Sequence, residues 1–164
     1  MIYGVMFPPL RWFVLPGTPV HDPVPRCLIT WICGVPCLDV KPTGHSNVKN
    51  TVVYLHGNKM DIYSSWRLAT EMANATHTRV IVPEYRGYGM RGGTPDPEGT
   101  VVDIGRVLMG LSASHVVGFS VGAALAAQVC VNNPHVKSIT LISPFYSLER
   151  MATRIVGKVF ASMM

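Results

Sequence analysis

The stretch that decides the fold reads HVVGFSVGAALAA, from His115 to Ala127. A β-branched run ends in Gly118, and small residues suited to a closely packed helix follow Gly122. Ser120 stands at the centre of the resulting Gly-x-Ser-x-Gly pattern. A serine on a sharp strand-to-helix turn leaves no room for side chains two residues away on either side, so both glycines are needed. The stretch therefore predicts a strand, a nucleophilic serine, and a helix whose N-terminus carries partial positive charge.

The same alternation of strand and helix runs through the chain from residue 51 onward. Strands are predicted over Thr51–Leu55, Arg79–Pro83, His115–Phe119 and Ser138–Ile142. The first predicted helix has an apolar face formed by Ile62, Trp66, Ala69, Met72 and Ala73. A glycine-rich loop (Tyr85–Gly99) leads to a second helix from about Glu98 to Leu111. Two further helices are predicted over Val121–Val131 and Ser147–Met164. Uniformly apolar strands between helices indicate an α/β fold whose mostly parallel sheet is covered on both faces. Right-handed crossovers place the C-terminal strand ends, and with them active sites, at one edge.

The first fifty residues differ because prolines are frequent there. Leu28 to Gly34 and Cys37 to Val40 are predicted to pair as a hairpin across Gly34-Val35-Pro36. We divide the chain into a Pro-rich N-terminal segment, residues 1–27, and a partial α/β domain, residues 28–164. The apolar start is interrupted by Pro8-Pro9, well short of the roughly 20 residues of a membrane-spanning helix, and it lacks the features of a signal peptide. This N-terminal segment permits peripheral membrane contact. A cytoplasmic or membrane-peripheral location is expected.

Composition and charge narrow the class of protein. The chain has 164 residues, of which 48% are hydrophobic and 14% charged, as expected for one globular domain with a large core. The net charge of +5 is spread along the sequence, which argues against nucleic-acid binding. Four cysteines without paired spacing are predicted to be free core thiols and not zinc ligands.

A second motif, His56-Gly57-Asn58, directly follows the strand predicted over Thr51–Leu55. This position would offer a backbone N–H to an oxyanion that develops during acyl transfer. The N–H of Val121, next to the serine, would be the second donor. We therefore predict an oxyanion hole formed by the backbone of Asn58 and Val121, with His56, Gly57, Gly118 and Gly122 supporting its shape.

Four motifs together resemble the α/β-hydrolase superfamily in order and approximate spacing. They are His56-Gly57-Asn58, Pro83-Glu84-Tyr85-Arg86-Gly87-Tyr88-Gly89, Gly118-Phe119-Ser120-Val121-Gly122 and Ser143-Pro144-Phe145. The chain is most similar to the branch of depalmitoylases and lysophospholipases, and is also similar to serine aminopeptidases. The resemblance implies an α/β-hydrolase fold that lacks its last strands, a structural role for Arg86, and a His56 whose backbone matters more than its ring.

The partners that Ser120 needs are not evident in the sequence. The family order is Ser, then Asp or Glu, then His. The only downstream histidine, His135, falls at the opposite edge of the predicted sheet, and Glu149 reads as an exposed residue at a helix start. His115 opens its strand at that same wrong edge, and the loop of His56 must already supply the oxyanion donor. Truncation or degeneration of the hydrolase explains this better than a relocated base.

The expected function is hydrolysis of a small-molecule or acylated substrate, an acyl ester or thioester, by Ser120 without a cofactor. Peptidase-like amide hydrolysis is one alternative. The other is a catalytically inactive fragment or pseudo-hydrolase that acts by binding. A sheet without its last strands would expose an edge through which the chain could associate with a partner.

Overall fold

The computed structural model describes residues 25, 28–44, 48–111, 114–131 and 133–145. Six strands form one sheet: β1 (Ile29–Ile32), β2 (Val35–Val40), β3 (Thr51–Leu55), β4 (Arg79–Pro83), β5 (Ser114–Phe119) and β6 (Val136–Ile142). Three α-helices connect them, namely α1 (Ile62–Thr76), α2 (Pro97–Gly110) and α3 (Val121–Val131), and a 3₁₀ turn covers Gly89–Arg91. No described helix is both long and apolar enough to cross a bilayer.

The sheet has the strand order β1-β2-β4-β3-β5-β6. The four strands from β3 to β6 run parallel, whereas β2 pairs antiparallel with both β1 and β4. This confirms the mostly parallel sheet predicted from the sequence. Because β3 and β5 are neighbours, their C-terminal ends lie side by side, with Leu55 paired to Gly118.

Helices cover both faces of the sheet, as predicted. On one face, α1 buries Ile62, Ala69 and Ala73 against β2, β3 and β4. On the other, α2 and α3 pack their apolar residues into a second core cluster that includes Ile104 and Leu125. Since each central strand contributes to both clusters, β3 and β4 are buried almost along their whole length.

Local sequence explains where the first two helices begin. Asp61 caps α1 by accepting a hydrogen bond from Ser64 N (2.7 Å), and Ser64 Oγ accepts one in return from Asp61 N (2.8 Å). Asp96 caps α2 through Gly99 N, and Pro97 occupies its first turn. The predicted start of α2 was therefore one residue late.

The N-terminal hairpin forms, but its turn was placed wrongly. The connection consists of Cys33 and Gly34, both with positive φ (49° and 78°), so Val35 and Pro36 belong to β2. A two-residue turn of this type matches the twist of the paired strands. Cys33 is consequently exposed and is not a core thiol, while Cys37 is buried and Cys130 partly buried. Burial raises the pKa of the Cys37 thiol to about 12.

The strand β6 differs from the others because nearly all of it is exposed. Ile139, Leu141 and Ile142 keep 42%, 40% and 45% of their surface accessible. The strand begins at Val136, two residues earlier than predicted, and is the last strand of the described sheet. The helix predicted over Ser147–Met164, with Glu149, and the segment 1–24 lie outside the described residues.

Two isoleucines on strands provide a matched test of this burial pattern. Ile81 is fully buried in β4, whereas Ile139 is 42% exposed on β6. Ile81→Ala should lower the free energy of unfolding by about 2–5 kcal/mol, because it leaves a cavity between the sheet and α2 and α3. Ile139→Ala should cost less than about 1 kcal/mol. Urea denaturation measures both, and equal losses would contradict the described core.

Candidate functional site

Ser120 lies at the turn between β5 and α3 and has a left-handed backbone, with φ of 54°. Residues other than glycine rarely adopt this conformation unless their surroundings impose it. Its N–H donates to Ile142 O (3.0 Å), and its carbonyl accepts from Ala123 N (3.0 Å) and Ala124 N (3.4 Å). The backbone of the serine is therefore fixed by both the sheet and the helix, while its side chain remains partly exposed.

The two glycines of the motif are required by close backbone contacts. A Cβ on Gly118 would lie 2.5 Å from Gly122 O, and a Cβ on Gly122 would lie 2.6 Å from His56 O. Real Cβ atoms do not approach other atoms this closely. The first contact lets α3 turn sharply away from β5, and the second lets it pack directly against the end of β3.

The loop after β3 therefore lies beside the serine turn, as the sequence predicts for an oxyanion loop. A Cβ on Gly57 would meet the Phe119 ring at 2.9 Å, so the loop can approach β5 only with glycine at this position. Asn58 Oδ1 accepts hydrogen bonds from Tyr88 Oη and Lys59 N, each at 3.1 Å. These contacts hold the loop in a tight turn.

The structure thus brings all the predicted site residues to one edge of the sheet. They are Ser120, Val121, Gly118, Gly122, His56, Gly57 and Asn58. Val121 is the first residue of α3, so its N–H belongs to the N-terminus of that helix. An anion beside Ser120 would face this N-terminus and its partial positive charge.

The side chain of His56 is more constrained than the sequence prediction allowed. Its ring is fully buried and stacks on Tyr85, with centroids 3.9 Å apart and planes inclined by 22°. Nδ1 lies 3.0 Å from Gly57 O, and Tyr85 Oη donates to His56 O at 3.0 Å. The resemblance implied that the backbone of His56 matters more than its ring, and the structure adds that the ring packs into the support of the loop.

Two tyrosines and one glutamate complete this support. Burial raises the pKa values of Tyr85 and Tyr88 well above the usual range for a phenol, so both hydroxyls remain donors. Glu84, 1% exposed, directs Oε1 toward His56 Nε2 at 3.6 Å. Glu84 was not predicted as a site residue from the sequence. The available signal was a charged residue directly after the apolar strand β4, at the edge where sites form.

Arg86 forms the ion pairs that its predicted structural role requires. It donates to Asp103 through Nε (2.8 Å) and Nη2 (3.1 Å), and to Asp96 through Nη1 (3.0 Å). Arg91 Nη1 also donates to Asp103 (2.8 Å). The hydrogen bond from Arg86, helped by Arg91, lowers the pKa of Asp103. These contacts fold the glycine-rich loop against α2.

Two of the histidines considered as a base for Ser120, His115 and His135, lie at the other edge of the sheet. His115, in the register opposite Val52, is bonded to Ser138 Oγ at 2.7 Å and is five residues before the serine, about 16 Å along an extended strand. His135 O accepts from Ser114 N, at the start of β5. These positions agree with the sequence argument that neither His115 nor His135 is the base for Ser120. Among the described histidines, only His56 is on the serine's edge.

Comparison with known proteins identifies relatives of this arrangement. The sequence profile of the alpha/beta hydrolase fold matches residues 50–163. An alpha/beta hydrolase of Acanthamoeba polyphaga mimivirus is 25% identical over 123 residues, which cover 70% of this chain and 47% of the viral protein.

Solved structures give the same result for the fold. An esterase of Pyrococcus furiosus superposes with a TM-score of 0.68 at 22% identity, over 91% of this chain and 63% of the esterase. An epoxide hydrolase of Vigna radiata gives 0.56 at 23% identity, over 78% of this chain and 44% of the hydrolase. The chain spans about half the length of the viral relative it matches.

Two helical glycines offer opposite outcomes on substitution by alanine. Gly122→Ala should destabilise the protein by about 2 kcal/mol or more, because the new methyl group collides with the backbone at the end of β3. Gly105→Ala, inside α2 and with open space around it, should stabilise by about 0.5–1 kcal/mol. Thermal unfolding would detect the difference. A neutral Gly122→Ala variant would contradict the close contact of α3 with β3.

The Asp103 network predicts a loss of stability in acid. Its native pKa is lowered from the usual 3.8, so its stabilising effect is fully present above that value and is lost as pH falls through the native pKa. Asp103→Asn should therefore destabilise the protein by about 1–3 kcal/mol near pH 6 and by less near pH 2. Urea unfolding at several pH values measures this. Glu98→Gln, at an exposed position of α2, is the control, and a pH-independent effect of Asp103→Asn would refute the assignment.

Proposed function

Since this chain belongs to the α/β-hydrolase fold family, we propose that it bears the nucleophile of a serine hydrolase that cleaves an acyl ester or thioester. The observation that supports this best is the left-handed φ of Ser120, 54°, at a turn where glycines clear the approach of α3. Such strained backbone conformations cluster at active sites, where the surrounding structure imposes them. Here that side chain is a hydroxyl beside a helix N-terminus.

In the proposed reaction, Ser120 Oγ attacks the carbonyl carbon of the substrate and its proton passes to a base. The carbonyl oxygen becomes an oxyanion, which the backbone N–H groups of Val121 and Asn58 stabilise. Collapse of this intermediate releases an alcohol or thiol and leaves an acyl group on the serine. Water then hydrolyses the acyl-enzyme. The base and the acid that orients it are not assigned to residues of this chain.

Acyl chemistry suits a serine better than the epoxide opening named for one of the neighbours. Attack of a serine hydroxyl on an epoxide carbon would leave an ether, which water does not readily cleave. Attack on an acyl carbon leaves an ester, which the same site can hydrolyse. The esterase neighbour is in keeping with this preference. Amide or peptide hydrolysis would use the same steps with a poorer leaving group.

A second candidate, binding without hydrolysis, is favoured by the exposure of β6. Its apolar residues Ile139, Leu141 and Ile142 are accessible on an edge strand of the described sheet. An edge of this kind pairs readily with a further strand or a partner. The two candidates differ in whether Ser120 is reactive.

A fluorophosphonate probe distinguishes them. It should label Ser120 in this chain or in a longer product of the same gene, because an activated serine hydroxyl displaces fluoride from the phosphorus. Labelling should disappear in Ser120→Ala and persist in Ser143→Ala. Ser143 is a suitable control because it also has a left-handed φ (50°), at the end of β6, but has no flanking glycines.

Absence of labelling in every product, or labelling that persists in Ser120→Ala, would refute the serine hydrolase and leave binding as the role. Where labelling occurs, nitrophenyl esters, thioesters and nitroanilides of one acyl group rank the substrate classes by kcat/KM. We expect the ester or thioester to exceed the anilide, because an alcohol or thiol leaves more easily than an amine. The reverse order would select amide hydrolysis.

A further inference from the structure

Two buried polar atoms next to the loop of Asn58 face each other without a hydrogen-bond partner. They are His56 Nε2 and Glu84 Oε1, on side chains that are both fully inaccessible, and they lie 3.6 Å apart. Leaving buried polar atoms unpaired is costly, so native proteins rarely do it. The arrangement therefore calls for a proton between the two atoms.

The position of the other ring nitrogen fixes how many protons the pair holds. His56 Nδ1 lies 3.0 Å from Gly57 O, and because a carbonyl oxygen can only accept, Nδ1 carries hydrogen. A neutral imidazole would then present the lone pair of Nε2 to an ionised Glu84, and two acceptors would repel each other. One further proton, on either Nε2 or Oε1, makes the contact attractive.

The groups around Glu84 favour a proton as the charge that balances its carboxylate. Its Oε2 faces the N–H groups of Ile62 (3.5 Å) and Met90 (3.4 Å), so one carboxylate oxygen is already supported. Asp61, which caps α1, brings a second buried carboxylate with an unpaired Oδ2. The guanidinium of Arg91 donates to the backbone carbonyl of Glu84 (3.3 Å). The imidazole is thus the group that faces Oε1 and can share a proton with it.

The same pair joins the ends of two neighbouring strands. Glu84 N donates to Pro36 O (2.9 Å), and the absence of a side chain at Gly89 leaves room for the Glu84 carboxyl group, because a Cβ there would lie 2.9 Å from Glu84 Cδ. His56 begins the loop after β3, where Tyr85 and Tyr88 stack on or flank its ring. Their hydroxyls donate to His56 O and to Asn58 Oδ1.

We propose that Glu84 is a positioning residue for hydrolysis: its carboxyl group shares one proton with the His56 imidazole, and this buried link holds the Asn58 N–H in line with the oxyanion. The role in hydrolysis rests on the proposed function, whereas the shared proton does not. Glu84 itself does not touch the substrate. It acts through the His56 ring on the loop.

Nuclear magnetic resonance of the wild-type chain tests the shared proton without any need for activity. Specific labelling of histidine nitrogens and glutamate carboxyl carbons, with His56→Gln and Glu84→Gln to assign the signals, reports the protonation of both groups near pH 7. We expect Nδ1 to be protonated, together with either Nε2 or the Glu84 carboxyl group. A His56 protonated at Nδ1 alone beside an ionised Glu84 would overturn the proposal.

Hydrogen exchange tests the positioning. In Glu84→Met, which keeps a side chain of similar length but can neither hold the proton nor hydrogen-bond to His56 Nε2, exchange of the Asn58 and Lys59 amides should accelerate by at least about tenfold. Asp39→Asn is the matched control: it breaks a bidentate pair with Arg79 at the opposite end of β4 and should leave these amides unchanged. Unchanged exchange in Glu84→Met would refute the positioning role.

Kinetic measurements on a gene product that the fluorophosphonate labels then test whether the His56–Glu84 pair contributes to catalysis. Glu84→Met should lower kcat by about 10- to 100-fold with little change in KM, because an oxyanion donor acts mainly in the transition state. A KM effect alone would contradict the proposal. Failure of the wild type to label would refute the proposed hydrolysis, whereas the resonance and exchange measurements would still decide whether Glu84 and His56 share a proton and fix the loop.

Discussion

The architecture of the site depends on one steric constraint, the close contact of α3 with the end of β3. Gly122 allows this contact because its Cα faces the carbonyl of His56 with no side chain between them. If α3 were displaced outward by the size of a methyl group, Ser120 would no longer turn with a left-handed φ, and the loop after β3 would lose its neighbour. The Ser120 turn and the loop after β3 therefore owe their proximity to the absence of a side chain at Gly122.

Much of this arrangement could be predicted from the sequence because its determinants are local. The uniform apolar character of β3 and β4 indicated a covered parallel sheet, and the glycines around Ser120 indicated a tight turn. The shared edge of Ser120 and Asn58 followed from the handedness of the crossovers. Such features depend on residues that are close in sequence, or on rules of chain connection that hold for nearly all folds.

What escaped prediction depends on contacts between distant segments. Glu84 looks like an ordinary charged residue after a strand, and only the folded structure shows that the 3₁₀ turn and the start of α1 enclose it. The ring of His56 gains its role from Tyr85, which belongs to another strand-to-helix connection. The exposed Cys33 was missed because the hydrophobic pattern of β1 and β2 does not show which two residues form the turn. Burial of a polar group is a property of the whole fold, so a linear pattern does not reveal it.

The hydrogen bond from Ser120 N to Ile142 O links the serine turn to the last residue of the exposed strand β6. The strand β5 and the helix α3 are contiguous in the chain and can pack together early, but this hydrogen bond forms only when β6 has docked. During synthesis on the ribosome, a serine that emerged before β6 would therefore lack one of its backbone constraints. The docking of an edge strand thus completes the hydrogen bonding that fixes the backbone of Ser120.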